Sequence, residues 1–216
     1  MSKLRLKNVS YGYEKGLPLI LKDISFSFEK ENIYAIIGKS GAGKTTLLSL
    51  LSGLVKPTSG KIFLDEQDIT GKDMYHYRSR DVGVIFQSFN LLPKLTAAEN
   101  VILSMDVSGQ KFENKKGRAM DLLSKVGLSQ EEANRRILKL SGGQQQRVAI
   151  ARTLSYDPEI ILADEPTGNL DRETQDDIMK IFRKLAKEEG KCVIIVTHSP
   201  DITKEADVVY ELKKRR

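Results

Sequence analysis

The sequence predicts an α/β fold: a parallel sheet covered by helices, with a small antiparallel β unit near the start and a helical unit inserted later. Three observations predict it. Four continuous apolar runs, Ile33–Ile37, Val82–Phe86, Ile160–Leu162 and Val193–Val196, suit strands buried on both faces. A glycine-rich loop joins the first of these runs to the leucine-rich stretch Leu47–Leu51. The middle of the chain carries apolar residues at three- and four-residue spacing.

Taken in order, Lys3–Lys7 and Ile24–Phe28 alternate apolar and polar residues, as strands with one solvent face do. Ile62–Leu64 follows the turn-forming Pro57-Thr58-Ser59-Gly60 and reads as a third such strand. Helices are expected over Thr96–Ser104, Asn114–Val126, where Ala119, Leu122, Leu123 and Val126 share a face, and Gln130–Leu138. Residues 1–87 and 157–216 form the expected core with its β unit, and 88–156 the inserted helical unit.

The chain has 216 residues, 40% hydrophobic and 30% charged, which suits one sizeable core. No apolar run approaches the roughly 18 to 20 residues of a membrane helix. The start, Met1-Ser2-Lys3-Leu4-Arg5, lacks the apolar core of a signal peptide. The single cysteine, Cys192, lies in an apolar run, which excludes an internal disulfide and fits a reducing compartment. Net charge is +6, and the sequence ends Lys-Lys-Arg-Arg at 213–216. No aromatic-interleaved basic stripe supports a nucleic-acid platform, so no nucleic-acid partner is expected.

The glycine loop reads Gly38, Lys39, Ser40, Gly41, Ala42, Gly43, Lys44, Thr45, Thr46. Strand, G-x-x-x-x-G-K-[ST] loop and helix together form a phosphate cradle. Its glycines let successive N–H groups turn inward on a polyanion, and the helix start adds unpaired N–H groups and a positive dipole end. Lys44 would reach the β- and γ-phosphates of a nucleoside triphosphate, and Thr45 would offer its hydroxyl to magnesium.

The run Ile160-Ile161-Leu162-Ala163-Asp164-Glu165 is an apolar strand ending in two carboxylates. In a phosphate-loop protein that strand is expected beside the loop. Asp164 would then hold magnesium through water, and Glu165 would orient or deprotonate an attacking water. Leu140-Ser141-Gly142-Gly143-Gln144 supplies a second exposed N–H cluster at a helix start. One triphosphate does not need two cradles a hundred residues apart, so the second is expected to close over a nucleotide held by another copy.

These motifs together with Val196-Thr197-His198-Ser199 resemble the ATP-binding subunits of ABC transporters, over essentially the whole chain. The resemblance implies a RecA-like sheet core, ATP with Mg2+, ATP hydrolysis, and an ATP-dependent head-to-tail homodimer. Each site would join Gly38–Thr46 of one copy to Ser141, Gly142, Gly143 and Gln144 of the other. It further implies that Tyr13, rather than Tyr11, stacks on adenine and that Gln87 contacts magnesium and water. His198 would hold the γ-phosphate and the Glu165 geometry, without changing charge, and Asp171 would couple the two sites. Ala42 and Thr45 stand where other residues are commoner, but Ala42 contributes only backbone and Thr45 keeps a hydroxyl.

Phe86–Pro93, Leu95–Val101 and Pro166–Asp171 resemble one branch of that family. The branch comprises macrolide and antimicrobial-peptide exporters, the lipoprotein-releasing complex and the cell-division ATPase. What the branch implies is a separate membrane permease of the macrolide-exporter type, an extracytoplasmic adaptor protein, and a place on the cytoplasmic face of the cell membrane. The expected task is powering export of, or resistance to, peptides or lipophilic compounds, with lipoprotein release and cell division as alternatives. A soluble ATPase acting on ribosomes or nucleic acid is the alternative of another class.

Overall fold

The computed structural model describes residues 2–14 and 18–213, so 214–216 of the basic ending lie outside the described residues. The strands are β1 (Ser2–Tyr11), β2 (Leu21–Glu29), β3 (Ile33–Gly38), β4 (Ser59–Leu64), β5 (Gln67–Asp68), β6 (Val82–Ile85), β7 (Ile160–Asp164), β8 (Cys192–Val196) and β9 (Val208–Leu212). The helices are α1 (Lys44–Leu51), α2 (Met74–His76), α3 (Ala97–Ser108), α4 (Lys115–Lys125), α5 (Gln130–Ala133), α6 (Gly142–Leu154), α7 (Arg172–Lys187) and α8 (Pro200–Glu205).

Two sheets form, as the sequence predicts. One is antiparallel in the order β2-β1-β4-β5, and the other runs β6-β7-β8-β3-β9, with its pairings parallel. The apolar runs are buried on both faces because alternate residues serve different cores. Ile160 and Leu162 of β7, with Cys192, Ile194 and Val196 of β8, pack with the antiparallel sheet and α1. Ile161, Ala163, Val193 and Ile195 face the other way, toward α3, α4, α6 and α7. The second core contains Phe182 of α7, fully buried; truncation to Ala there would cost about 3–5 kcal/mol.

Local chemistry sets the helix starts. Thr96 and Glu99 form a reciprocal capping box at α3, and Ser129 with Glu132 does so at α5. Asn114, expected inside a helix, is the N-cap of α4 and accepts from the Gly117 amide at 2.8 Å.

Two expectations are corrected and a third is refined. The stretch Gln130–Leu138 is not one helix: α5 ends at Ala133 and a single tight turn covers Ile137–Lys139. The intervening backbone bonds elsewhere, with Ala97 N donating to Arg135 O and Ile137 N to Leu95 O, so tertiary pairing outcompetes the helical ladder. The acidic end of β7 does lie beside the glycine loop, as expected, although β8 separates β7 from β3 in the sheet. Finally, Lys3 breaks the polar-out alternation of β1 and is buried. Its ammonium sits between Asp65, at 2.5 Å, and Glu159.

Candidate active site

The carboxyl ends of β3, β7 and β8, with the start of α1 and the segment after β6, surround a cleft of about 590 Å3. It is lined by Gly38, Ser40, Gly41, Gly43, Lys44, Thr45, Thr46, Gln87, Asp164, Glu165 and His198, together with Ile20. Predicted residues from four separated stretches thus meet at one place. Lys39 and Ala42 are not in the lining; Ala42 is buried and its amide donates to Lys39 O at 3.0 Å, closing the loop on itself.

Gly43 caps α1 at φ 92°, a left-handed conformation, and a Cβ there would lie 2.9 Å from Leu21 Cδ2. Glycine is therefore required both by the turn and by the close approach of the β1–β2 hairpin. Lys44 follows in the first turn of α1, and its Nζ donates to Gly38 O at 2.8 Å, which holds the ammonium over the loop.

Although β8 separates their strands, Asp164 and the start of α1 meet at the sheet's end. Burial pushes the Asp164 carboxyl above its ordinary value and the charge of Glu165 adds to this; the Lys44 ammonium and a hydrogen bond with Thr45 oppose it. A half-buried carboxylate beside another calls for a cation. Among the described residues no cluster of three or more His, Cys, Asp or Glu could hold a metal by itself. One carboxylate, a hydroxyl and an amide oxygen suit Mg2+, which is usually bound through one or two carboxylates with substrate phosphates completing the shell.

Glu165 sits at φ 45°, left-handed for a non-glycine residue, at a cost on the order of 1–3 kcal/mol. The conformation is fixed on both sides: Glu165 N donates to Val196 O, and Gly168 N to Glu165 O. Its carboxylate accepts from Thr197 Oγ1 at 3.1 Å and from His198 N at 3.3 Å, and lies 2.6 Å from His198 Nδ1. Thr197, which no sequence motif singles out, is thus a positioning group for Glu165. A neutral imidazole has one N–H, and opposite a carboxylate it belongs on Nδ1. His198 could then donate from Nε2 to a phosphate only by gaining a second proton or releasing Glu165.

Ser141, Gly142, Gly143 and Gln144 do not line this cleft. They form the exposed to half-buried start of α6, where Ser141 and Gln144 make a capping box. Gln144 Nε2 also donates to Glu132 at 2.6 Å, so this side chain has a local structural task. A Cβ on Gly143 would lie 2.6 Å from Thr174 Cγ2, and Thr174 is bonded through its amide and hydroxyl to Asp171, the N-cap of α7. Asp171 and the glycine pair are therefore neighbours, which no spacing in the sequence reveals. Tyr13 lies outside the cleft lining, is 69% exposed, and meets Tyr11 edge-on at 5.5 Å; Tyr11 is buried.

Residues 21–168 match the family described as ABC transporter. The chain belongs to the ABC transporter ATP-binding family. An uncharacterized ABC transporter ATP-binding protein of Bacillus subtilis, YclH, is 44% identical over 214 residues, 99% of this chain and 95% of YclH. The macrolide export ATP-binding/permease protein MacB of Syntrophobacter fumaroxidans is 39% identical over 99% of this chain, which spans 31% of MacB. Among solved structures, the dimeric post-hydrolysis state of the ATP-binding cassette MJ0796, bound to ADP and Pi, superposes with a TM-score of 0.87. It is 37% identical and covers 99% of this chain and 97% of its own. This ABC protein binds ATP with Mg2+ and is an ATPase. No helix among its described residues is long and apolar enough to cross a membrane.

Proposed function

We propose that the chain is the motor subunit of an exporter or resistance permease, working as a pair of copies that share two ATP sites. The single observation that carries this is the division of the predicted site. Cradle, carboxylates and His198 share one cleft, whereas Ser141–Gln144 stand outside it and exposed. A second copy placed head-to-tail would bring that glycine-lined helix start over the cleft's mouth. The dimer reported for MJ0796 supports the arrangement.

In this assignment Gly38–Thr46 bind the phosphates through backbone N–H groups, and Lys44 balances charge on the β- and γ-phosphates. Thr45, Asp164 (through water) and Gln87 would hold Mg2+, which neutralises charge developing on the phosphate oxygens. Glu165, pinned by Thr197 and His198, would orient the attacking water and take its proton. Tyr13, exposed and edge-on to Tyr11, would stack on adenine, and Ile20 lines the cleft. Asp171, held against Gly143 through Thr174, would report one site's state to the other. Residues 88–156 would move as the helical unit against 1–87 and 157–216.

The transported class is assigned to macrolides, antimicrobial peptides or similar lipophilic compounds, with an adaptor beyond the membrane. Support comes from a relative named a macrolide export ATP-binding/permease protein. Co-purification with a multispanning membrane protein, and ATPase activity per molecule that rises with protein concentration, are the expected results. Activity independent of concentration in a proven monomer would overturn the shared site. A permease that responds to lipoproteins instead would move the chain to the lipoprotein-releasing alternative.

A further inference from the structure

The segment after β6 carries Gln87 into the cleft and then does something its sequence does not demand. Phe89 and Asn90 both take left-handed backbone conformations, φ 58° and 52°. Asparagine tolerates this region, whereas phenylalanine enters it at a cost that the Asn90 N to Ser88 O bond, at 2.6 Å, offsets only locally. Two adjacent carbonyls are consequently presented on one side, and Arg152 spans them. Its Nη2 donates to Phe89 O at 3.0 Å and its Nη1 to Asn90 O. A planar fork can bridge two neighbouring carbonyls, whereas an ammonium on one stem cannot hold both in the same geometry.

The far side of the segment is held too. Buried Asn100 of α3 accepts from Leu92 N at 2.8 Å and donates to Leu92 O at 3.2 Å. The stretch that begins at Gln87 is therefore fixed to α6 and α3. Arg152 also lies on the helix that starts with the Ser141–Gly143 amides, about three turns away.

We propose that Arg152 is a positioning residue: its fork holds the Phe89–Asn90 backbone so that Gln87 stands at the γ-phosphate end of the cleft. Displacement of α6 then displaces Gln87. This rests on the assignment of Gln87 given under Proposed function.

The test is steady-state ATP hydrolysis by the purified chain carrying Arg152→Lys, Gln87→Ala, or both. Arg152→Lys should lower kcat roughly ten- to hundredfold, the scale of a misplaced catalytic contact, with KM for ATP nearly unchanged. In the Gln87→Ala background it should cost nothing further. If the two losses multiply, or Arg152→Lys leaves kcat at the parental value, the positioning role is overturned. If Gln87→Ala alone leaves kcat unchanged, the Gln87 assignment fails and takes this proposal with it, a pattern distinct from the other two. Should Arg152→Lys unfold the chain, Asn90→Pro at an exposed loop position forces φ out of the left-handed region and removes the Asn90 N–H bond to Ser88 O. It should reproduce the kcat loss with KM retained, and an unchanged kcat there would equally overturn the proposal.

Discussion

Replacing Glu165 with Gln keeps the side chain's shape and removes its charge. The structure indicates how little else should change. An amide oxygen can still accept from Thr197 Oγ1 and His198 N, now 3.1 and 3.3 Å from the carboxylate. The amide nitrogen can face His198 Nδ1 if the imidazole takes its other tautomer. Exchanging one charge-assisted contact for a neutral one costs about 1 kcal/mol of stability, and the left-handed backbone is held by main-chain bonds that the change does not touch. Chemistry suffers far more. Loss of a positioned general base is worth about 10²- to 10⁴-fold in rate, or about 3–5 kcal/mol of barrier. Asp164 loses the neighbouring charge that helps raise its carboxyl, so it keeps its charge to lower pH, while Asp164, Thr45 and Gln87, which would hold the metal, are unchanged. Phosphate release at saturating ATP and Mg2+ measures the first quantity, and equilibrium dialysis of ATP the second. A kcat within threefold of the parent, or ATP binding lost together with hydrolysis, would refute the role given to Glu165.

Other expectations follow from the same geometry. Gly43→Ala must adopt φ 92° with its Cβ against Leu21, so it should destabilise the chain by about 1–3 kcal/mol and weaken ATP binding at least tenfold, read by thermal unfolding and nucleotide titration. Burial pushes the Cys192 thiol up to about 12, so thiol reagents should label the native chain negligibly near pH 8 and stoichiometrically once it is unfolded. Lys3 and Lys30 hold the Glu159 carboxyl down at about 2, against an ordinary 4.5. Because the folded value is depressed, this contribution is whole above about 4.5 and is lost as pH falls toward 2; Lys3→Met should flatten that part of a stability–pH curve, measured by urea unfolding.

Legibility in the sequence followed the kind of force involved. Strands buried on both faces declare themselves as unbroken apolar runs, so β3, β6, β7 and β8 were readable. The edge strand β9 was not, because Val208 to Leu212 alternates weakly and draws its partner, β3, from the other end of the chain. The break in Gln130–Leu138 was invisible because it comes from main-chain bonds to residues 95–97. Cradle and acidic residues were legible as motifs, since phosphate and metal chemistry demands particular residue types at fixed spacing. Thr197 carries only a weak signal, a hydroxyl beside a strand-end His. The contact of Gly143 with Thr174, the reach of Ile20 to the cradle and the Arg152 fork had none, since each joins segments whose proximity only the fold creates.

The central claim is that one copy's cleft is completed by the α6 start of another. The most direct measurement is a structure of the Glu165→Gln chain with ATP bound. Two copies are expected, with Ser141 and Gly143 of each within hydrogen-bonding distance of the γ-phosphate held by its partner. A nucleotide enclosed by one copy alone, with those residues facing solvent, would contradict it.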